Sequence, residues 1–148
     1  MQEKELRPFA DKIIKSIYGD YLLVLEEFRL PNSPLKPDVV YVFRGFPYVV
    51  LVELEVDADN PYCINQCFAY SFHGLTFVVC DRVSRQTLQK YEKIGVGVAV
   101  RDKVLLLPRF VHAIDRTAYI TRSLILQKLS NTKRRRLNTG QMSLLDFM

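Results

Sequence analysis

Three carboxylates, those of Asp38, Glu53 and Glu55, are spaced so that a fold could bring them together around a divalent cation. Glu53 and Glu55 lie in a β-rich stretch, and residues i and i+2 of a strand point to the same face of a sheet. Asp38 enters the preceding strand, so a turn between the two strands would place all three side by side. Clustered oxygen ligands of this kind suit Mg²⁺ or Mn²⁺, which can activate water and stabilise the charge that develops when a phosphodiester is hydrolysed.

The same residues have a simpler explanation, and other chemistry finds little support. Glu53 and Glu55 alone could be the solvent-facing side of an edge strand. His73 and His112 are too few and too scattered for a zinc site or a Ser-His-Asp arrangement. No phosphate-cradling Gly-rich loop or dinucleotide fingerprint occurs. The odd number of cysteines predicts core thiols and not disulfides, for Cys63, Cys67 and Cys80.

Hydrophobic periodicity predicts the elements that must position these carboxylates. The predicted order is helix 6–19, strands 21–30, 39–43 and 48–56, helix 60–74, strand 75–80, helix 84–95, strands 96–100 and 104–107, and helix 110–129. The turn at residues 44–47 predicts a hairpin between the second and third strands. This order indicates an α/β domain with a mixed sheet and helices packed on its faces.

Length and composition indicate one domain followed by a tail. The 148 residues, 49% hydrophobic, suffice for one core, which we assign to residues 1–129. From Ser130 the composition becomes polar and basic, so we expect a flexible linker over residues 130–140 and a separate peptide at 141–148. No apolar run approaches the roughly 20 residues that cross a bilayer, and the N-terminus lacks a secretory pattern, so we expect an intracellular protein with no membrane partner.

The carboxylates and the order of elements together resemble the PD-(D/E)xK nuclease superfamily over most of residues 1–108. The shared features are an initial helix, a strand beginning with Pro37-Asp38, a hairpin, and a strand with the acidic motif. The resemblance implies a restriction-endonuclease-like fold, a DNA substrate, and Mg²⁺ or Mn²⁺ held by Asp38 and Glu53. Glu55 occupies the position of the family lysine. Some restriction endonucleases have a glutamate there, as a further ligand or a water-activating base.

The predicted helix after the acidic strand carries a second element of the resemblance. Gln66 and Tyr70, at i and i+4, lie on one helix face and are similar to the Gln-x-x-x-Tyr motif of RecB-like members, which holds the active site and the DNA. Such pairs also occur on ordinary helices. Lys36 or Lys93 could supply the positive charge that the missing lysine would otherwise provide.

A block of basic residues precedes the chain end, at Lys133, Arg134, Arg135 and Arg136. The formal net charge of +5 is modest, but clustered cations attract phosphates. The sequence therefore allows two interpretations of this block, a DNA-binding tail or a solubilising tail.

The last eight residues closely resemble the sliding-clamp-binding peptide known as the PIP box. Gln141 matches the glutamine, Leu144 the aliphatic position and Phe147 the first aromatic position, whereas Met148 replaces the second aromatic. The resemblance implies a PCNA-type clamp as partner, in an archaeal cytoplasm or a eukaryotic nucleus, with Leu144 and Phe147 as buried anchors. The alternative is that this turn packs back onto its own domain.

These expectations combine into a clamp-associated, Mg²⁺-dependent DNA endonuclease of repair, recombination or replication. Holliday junction resolvases of the superfamily have a similar size and act as dimers, so the resemblance also allows a homodimer. Two rivals stay open: a catalytically inert nuclease-like module that binds DNA at the clamp, and a clamp regulator without DNA affinity.

Overall fold

A six-stranded mixed sheet forms the centre of the molecule. The computed structural model describes residues 1–110 and 116–137, with side chains up to residue 132. The strands lie side by side in chain order: β1 Leu23–Glu26, β2 Val39–Val42, β3 Val50–Asp57, β4 Leu75–Arg82, β5 Gly97–Val100 and β6 Lys103–Leu106. β1, β2 and β3 are antiparallel, β3, β4 and β5 are parallel, and β6 is antiparallel to β5. The predicted α/β class and the hairpin between β2 and β3 are confirmed.

Four helices flank this sheet: α1 Arg7–Tyr18, α2 Pro61–Tyr70, α3 Arg85–Lys93 and α4 Arg116–Leu137. A 3₁₀ turn, Glu3–Leu6, leads into α1. The side chain of Asn60 caps α2 by accepting the Tyr62 N–H at 3.0 Å, and Pro61 occupies the first turn, where its missing N–H costs nothing. Ser84 caps α3 in the same way, through the Thr87 N–H at 3.2 Å.

The helices cover both faces of the sheet, because alternate strand residues are apolar on both sides. On one face, Ile13 and Ile14 of α1 pack with strand residues such as Val52 and Phe77. On the other face, buried residues of the remaining helices complete two apolar clusters, namely Cys63, Cys67 and Tyr70 of α2, Tyr91 of α3 and Ile125 of α4. The sheet is therefore the middle layer of three, with α1 on one face and α2, α3 and α4 on the other.

Two elements differ in extent from the prediction. β1 ends at Glu26 and not at Leu30, because Glu27 has a left-handed φ of 46° that takes the chain out of the ladder. The last helix extends to Leu137, where the sequence predicts a flexible linker from Ser130. Neither Gly nor Pro occurs in this helix, and its Lys, Arg and Leu residues all have high intrinsic helix propensity. Residues 111–115, including His112, lie outside the described ranges.

Two smaller predictions can also be checked. Cys63, Cys67 and Cys80 are free and fully buried, so the prediction of core thiols is confirmed. Within residues 1–110 and 116–137, no helix combines the length and the apolar character needed to cross a membrane.

Candidate functional site

The register of β2 against β3 brings Asp38 and Glu53 to the same place. Val39 pairs with Val52 and Val40 with Leu51, so the next step of the antiparallel ladder puts Asp38 opposite Glu53. Directly opposed residues point to one face, and for this pair it is the face that α2 covers. The Leu54 N–H donates to Asp38 Oδ2 at 2.7 Å, which fixes the Asp38 carboxylate at the edge of β3. The structure thus places these two carboxylates together, as the sequence predicts.

Glu53 is the most perturbed carboxyl group of this site. Only 7% of the residue is exposed. Burial, followed by a hydrogen bond to Asp38 and the negative charge of Asp38, raises the pKa of Glu53 to about 10. Its Oε2 atom is buried and, among the described residues, has no hydrogen-bond partner. The raised pKa favours the protonated form of Glu53 at neutral pH, and a cation bound at this oxygen would take the place of the proton.

Tyr70, at the end of α2, contacts the carboxyl site from the helix side. Its hydroxyl lies beside Glu53, where it opposes the rise in the pKa of Glu53, and burial followed by the charge of Glu53 raises the pKa of Tyr70 itself. The same hydroxyl also donates to the Lys36 carbonyl at 3.4 Å. Tyr70 therefore links the buried carboxyl pair to the loop that precedes Asp38.

Gln66, one helical turn before Tyr70, lines a groove to which Tyr70 also contributes. This groove, which we call the α2 groove, has a volume of about 500 Å³ and includes Lys36, Tyr62, Asn65, Gln66 and Tyr70 in its lining. The predicted Gln66 and Tyr70 pair does share one helix face. In this arrangement Tyr70 contributes to both the carboxyl site and the groove, while Gln66 and Lys36 contribute to the groove.

Glu55 extends the acidic site, and the structure adds Glu3, which the sequence does not indicate. Burial, followed by the charges of Glu3, Asp38 and Asp57, raises the pKa of the half-buried Glu55. Burial and the charge of Asp38 raise the pKa of Glu3 in the 3₁₀ turn. Glu3 and Asp38 also line a second groove, of about 360 Å³. No spacing rule joins Glu3 to a strand more than 30 residues away, so only the packing of the N-terminus could reveal it.

The donor set suits a cation that needs few protein ligands. In the part of the chain that the structure describes, no three His, Cys, Asp or Glu side chains are arranged to hold a metal ion. Asp38 and Glu53 form a pair, and Mg²⁺ commonly takes one or two protein carboxylates, keeping waters and substrate phosphates as its other ligands. The unpartnered Glu53 Oε2 and the raised pKa of Glu53 fit this use. Asp38 and Glu53 would hold such an ion, and Glu55 lies outside the pair.

The remaining predicted residues lie on α3, in the loop before Asp38, on α4, or outside the described part of the chain. Lys93 ends α3, whereas Lys36 lies in the loop two residues before Asp38. The basic block, residues 133–136, falls in the last two turns of α4, for which the backbone alone is described. The predicted clamp-binding residues Gln141, Leu144, Phe147 and Met148 lie outside the described ranges.

Comparisons of this chain with protein-family models, with curated proteins and with solved structures found no match. The α/β architecture is therefore stated from the structure itself. The likeness to PD-(D/E)xK nucleases and to the PIP box stays a prediction from the motifs.

Proposed function

We propose that this chain is a metal-dependent DNA endonuclease that a PCNA-type sliding clamp recruits through the C-terminal peptide. The observation that carries the proposal is the Asp38 and Glu53 pair. The two carboxyl groups face each other across β2 and β3, and a buried Glu53 oxygen lacks a partner among the described residues. A buried ionisable group with an unpartnered oxygen destabilises the fold, and such groups are often found at functional sites.

Each residue of the site has a role in this proposal. When bound, Mg²⁺ or Mn²⁺ supplies positive charge that stabilises a reacting phosphate and acidifies a water molecule. Asp38 and Glu53 hold the ion, with Asp38 oriented by the Leu54 N–H. Glu55 is more exposed than Glu53 and can accept a proton from the attacking water. Tyr70 keeps the Glu53 carboxyl group in place.

The test is cleavage of plasmid and branched DNA in Mg²⁺ or Mn²⁺ by the wild type and by Asp38→Asn and Glu53→Gln. Both substitutions keep side-chain volume, and the Asn oxygen can still accept the Leu54 N–H. Asp20→Asn is the matched control, because Asp20 has 85% of its side chain exposed and pairs only across the surface with Lys15. We expect the two site variants to lose cleavage and to keep DNA binding, and the control to retain both. Cleavage that persists in both site variants would contradict the proposal.

A second candidate function follows from Glu55. By the resemblance, this residue occupies the position of the family lysine, and burial followed by the charges of Glu3, Asp38 and Asp57 raises its pKa, so Glu55 brings no positive charge to the site. A site of this composition is also compatible with an inert module that binds DNA at the clamp. Binding of DNA without cleavage of any substrate in either metal would favour the module. Clamp binding without DNA affinity would instead favour a clamp regulator.

A further inference from the structure

The α2 groove has the side chains of a nucleotide-binding surface. Tyr62 lines the groove with 67% of the residue exposed, so much of its ring is open to solvent. Asn65 and Gln66 add carboxamides, which carry both donors and acceptors, and Lys36 adds an exposed ammonium group. A flat ring face, amide groups and a cation are complementary to a base face, a base edge and a phosphate.

The ring of Tyr62 is carried by a fixed piece of backbone. The backbone N–H of Tyr62 donates to the Asn60 side chain at 3.0 Å. Pro61, the residue before Tyr62, has a φ angle fixed by its ring. A platform held in this way loses little conformational entropy when a base stacks on it. Tyr62 is thus placed to act as a stacking surface and not as part of the core.

The groove is continuous with the carboxyl site. Tyr70 lines the groove and lies beside Glu53, and its hydroxyl donates to the carbonyl of Lys36, two residues before Asp38. A nucleotide that occupied the groove would therefore have its backbone close to the Asp38 and Glu53 pair. The groove is also concave, so a base can enter it only after leaving a duplex stack.

We propose that the α2 groove binds an unpaired nucleotide, with its base stacked on Tyr62 and its edge on Asn65 and Gln66. This inference rests on the proposed nuclease function and names its substrate class: DNA that presents unpaired bases next to a duplex, as branched and flapped structures do. An intact duplex hides the faces of its bases and can offer the groove only phosphates.

The experiment compares two DNAs that share one duplex sequence, one fully paired and one with a single-stranded extension that carries 2-aminopurine. Binding is measured by anisotropy in EDTA with the full-length chain, so that no cleavage intervenes. We expect the wild type to bind the extended DNA about tenfold more tightly, and Tyr62→Ala to remove this preference, since base stacking on an aromatic ring typically contributes that much. Tyr62→Phe keeps the ring and should keep the preference.

Tyr119→Ala is the matched control, because Tyr119 is a comparably exposed tyrosine, at 64%, on α4. It should leave the preference unchanged. Equal affinity of the wild type for the two DNAs would overturn the inference, and so would a preference that survives Tyr62→Ala. Quenching of 2-aminopurine fluorescence by the wild type and Tyr62→Phe, but not by Tyr62→Ala, would locate the base on the ring.

The outcome is separable from that of the nuclease proposal. A Tyr62-dependent preference without cleavage in Mg²⁺ or Mn²⁺ would support the groove and contradict the enzyme. The opposite outcome is metal-dependent cleavage that is lost in Asp38→Asn, without any preference for DNA with unpaired bases. It would support the nuclease proposal and contradict the proposed nucleotide site in the α2 groove. Absence of any DNA binding would overturn both.

Discussion

Glu53→Gln should change how the stability of the metal-free protein depends on pH. In the folded protein the pKa of Glu53 is about 10, against an ordinary value of 4.5. At pH values between 4.5 and about 10, the Glu53 carboxyl group has released its proton in the unfolded chain and still holds it in the folded protein. Because the folded state then binds more protons, the contribution of Glu53 to stability falls as pH rises from 4.5 to 10.

The magnitude follows from the linkage between proton binding and folding. One proton difference is worth about 1.4 kcal/mol per pH unit, so the destabilisation at pH 7 amounts to about 3 kcal/mol. Glutamine has the size of glutamic acid and does not titrate. The glutamine amide changes the free energy of unfolding by a constant amount, because its buried N–H groups near Asp38 need hydrogen-bond partners. It adds no pH dependence of its own.

The assay is urea unfolding of the wild type and Glu53→Gln at pH 6, 7 and 8 in EDTA. The free energy of unfolding of the wild type, relative to that of the variant, should fall by about 2.7 kcal/mol over these two pH units. Asp20→Asn, which removes an exposed carboxylate, should give a curve parallel to the wild type. If the Glu53→Gln curve is also parallel to the wild type, Glu53 is ionised in the folded protein and the reasoning fails.

Three further predictions concern other parts of the chain. Replacing residues 133–136 by alanine should weaken DNA binding and make the slope of log affinity against log salt shallower by up to about 3 to 4, since each phosphate neutralised contributes about 0.9; an unchanged slope in a binding titration would make the block a solubilising segment. Leu144→Ala with Phe147→Ala should remove most affinity for a PCNA-type clamp in calorimetry, because each buried side chain contributes roughly 1.5 to 3 kcal/mol, while cleavage of free DNA persists. Tyr91→Phe should lower the free energy of unfolding by about 1 to 3 kcal/mol in urea, because the hydroxyl donates at 2.8 Å to a buried carbonyl, whereas Tyr62→Phe should change it little.

The sequence predicts the sheet well because its strands are short apolar runs separated by strong turn signals. The hairpin between β2 and β3 follows from the turn at residues 44–47, and the shared face of Glu53 and Glu55 follows from strand geometry alone. The end of β1 could not be predicted in this way, since the left-handed conformation of Glu27 depends on where the following loop packs. The sequence prediction ends α4 too early, because a polar, basic stretch is typical of linkers, whereas Lys and Arg also favour helix.

The site is harder to predict than the fold, because it depends on register and on distant packing. A shift of one residue between β2 and β3 would turn Asp38 away from Glu53, and only the observed pairing of Val39 with Val52 excludes this shift. The contribution of Glu3 depends on how the N-terminal turn meets the sheet. The sequence does not single out Tyr62 and Asn65, since a tyrosine and an asparagine near the start of a helix are ordinary.

The charge balance of the site connects Glu55 with the protonation of Glu53. Asp38, Glu55 and Glu3 lie close enough to influence one another, and the nearby Arg7 is already paired with Asp11 and Glu26. With a glutamate where the family has a lysine, no cation from β3 offsets these charges, so the metal-free site reduces its repulsion by keeping a proton on Glu53. A divalent cation at the pair would release that proton. Saturating Mn²⁺ should therefore flatten the pH dependence of wild-type stability towards that of Glu53→Gln, which makes the same titration a test of whether the pair holds a metal ion.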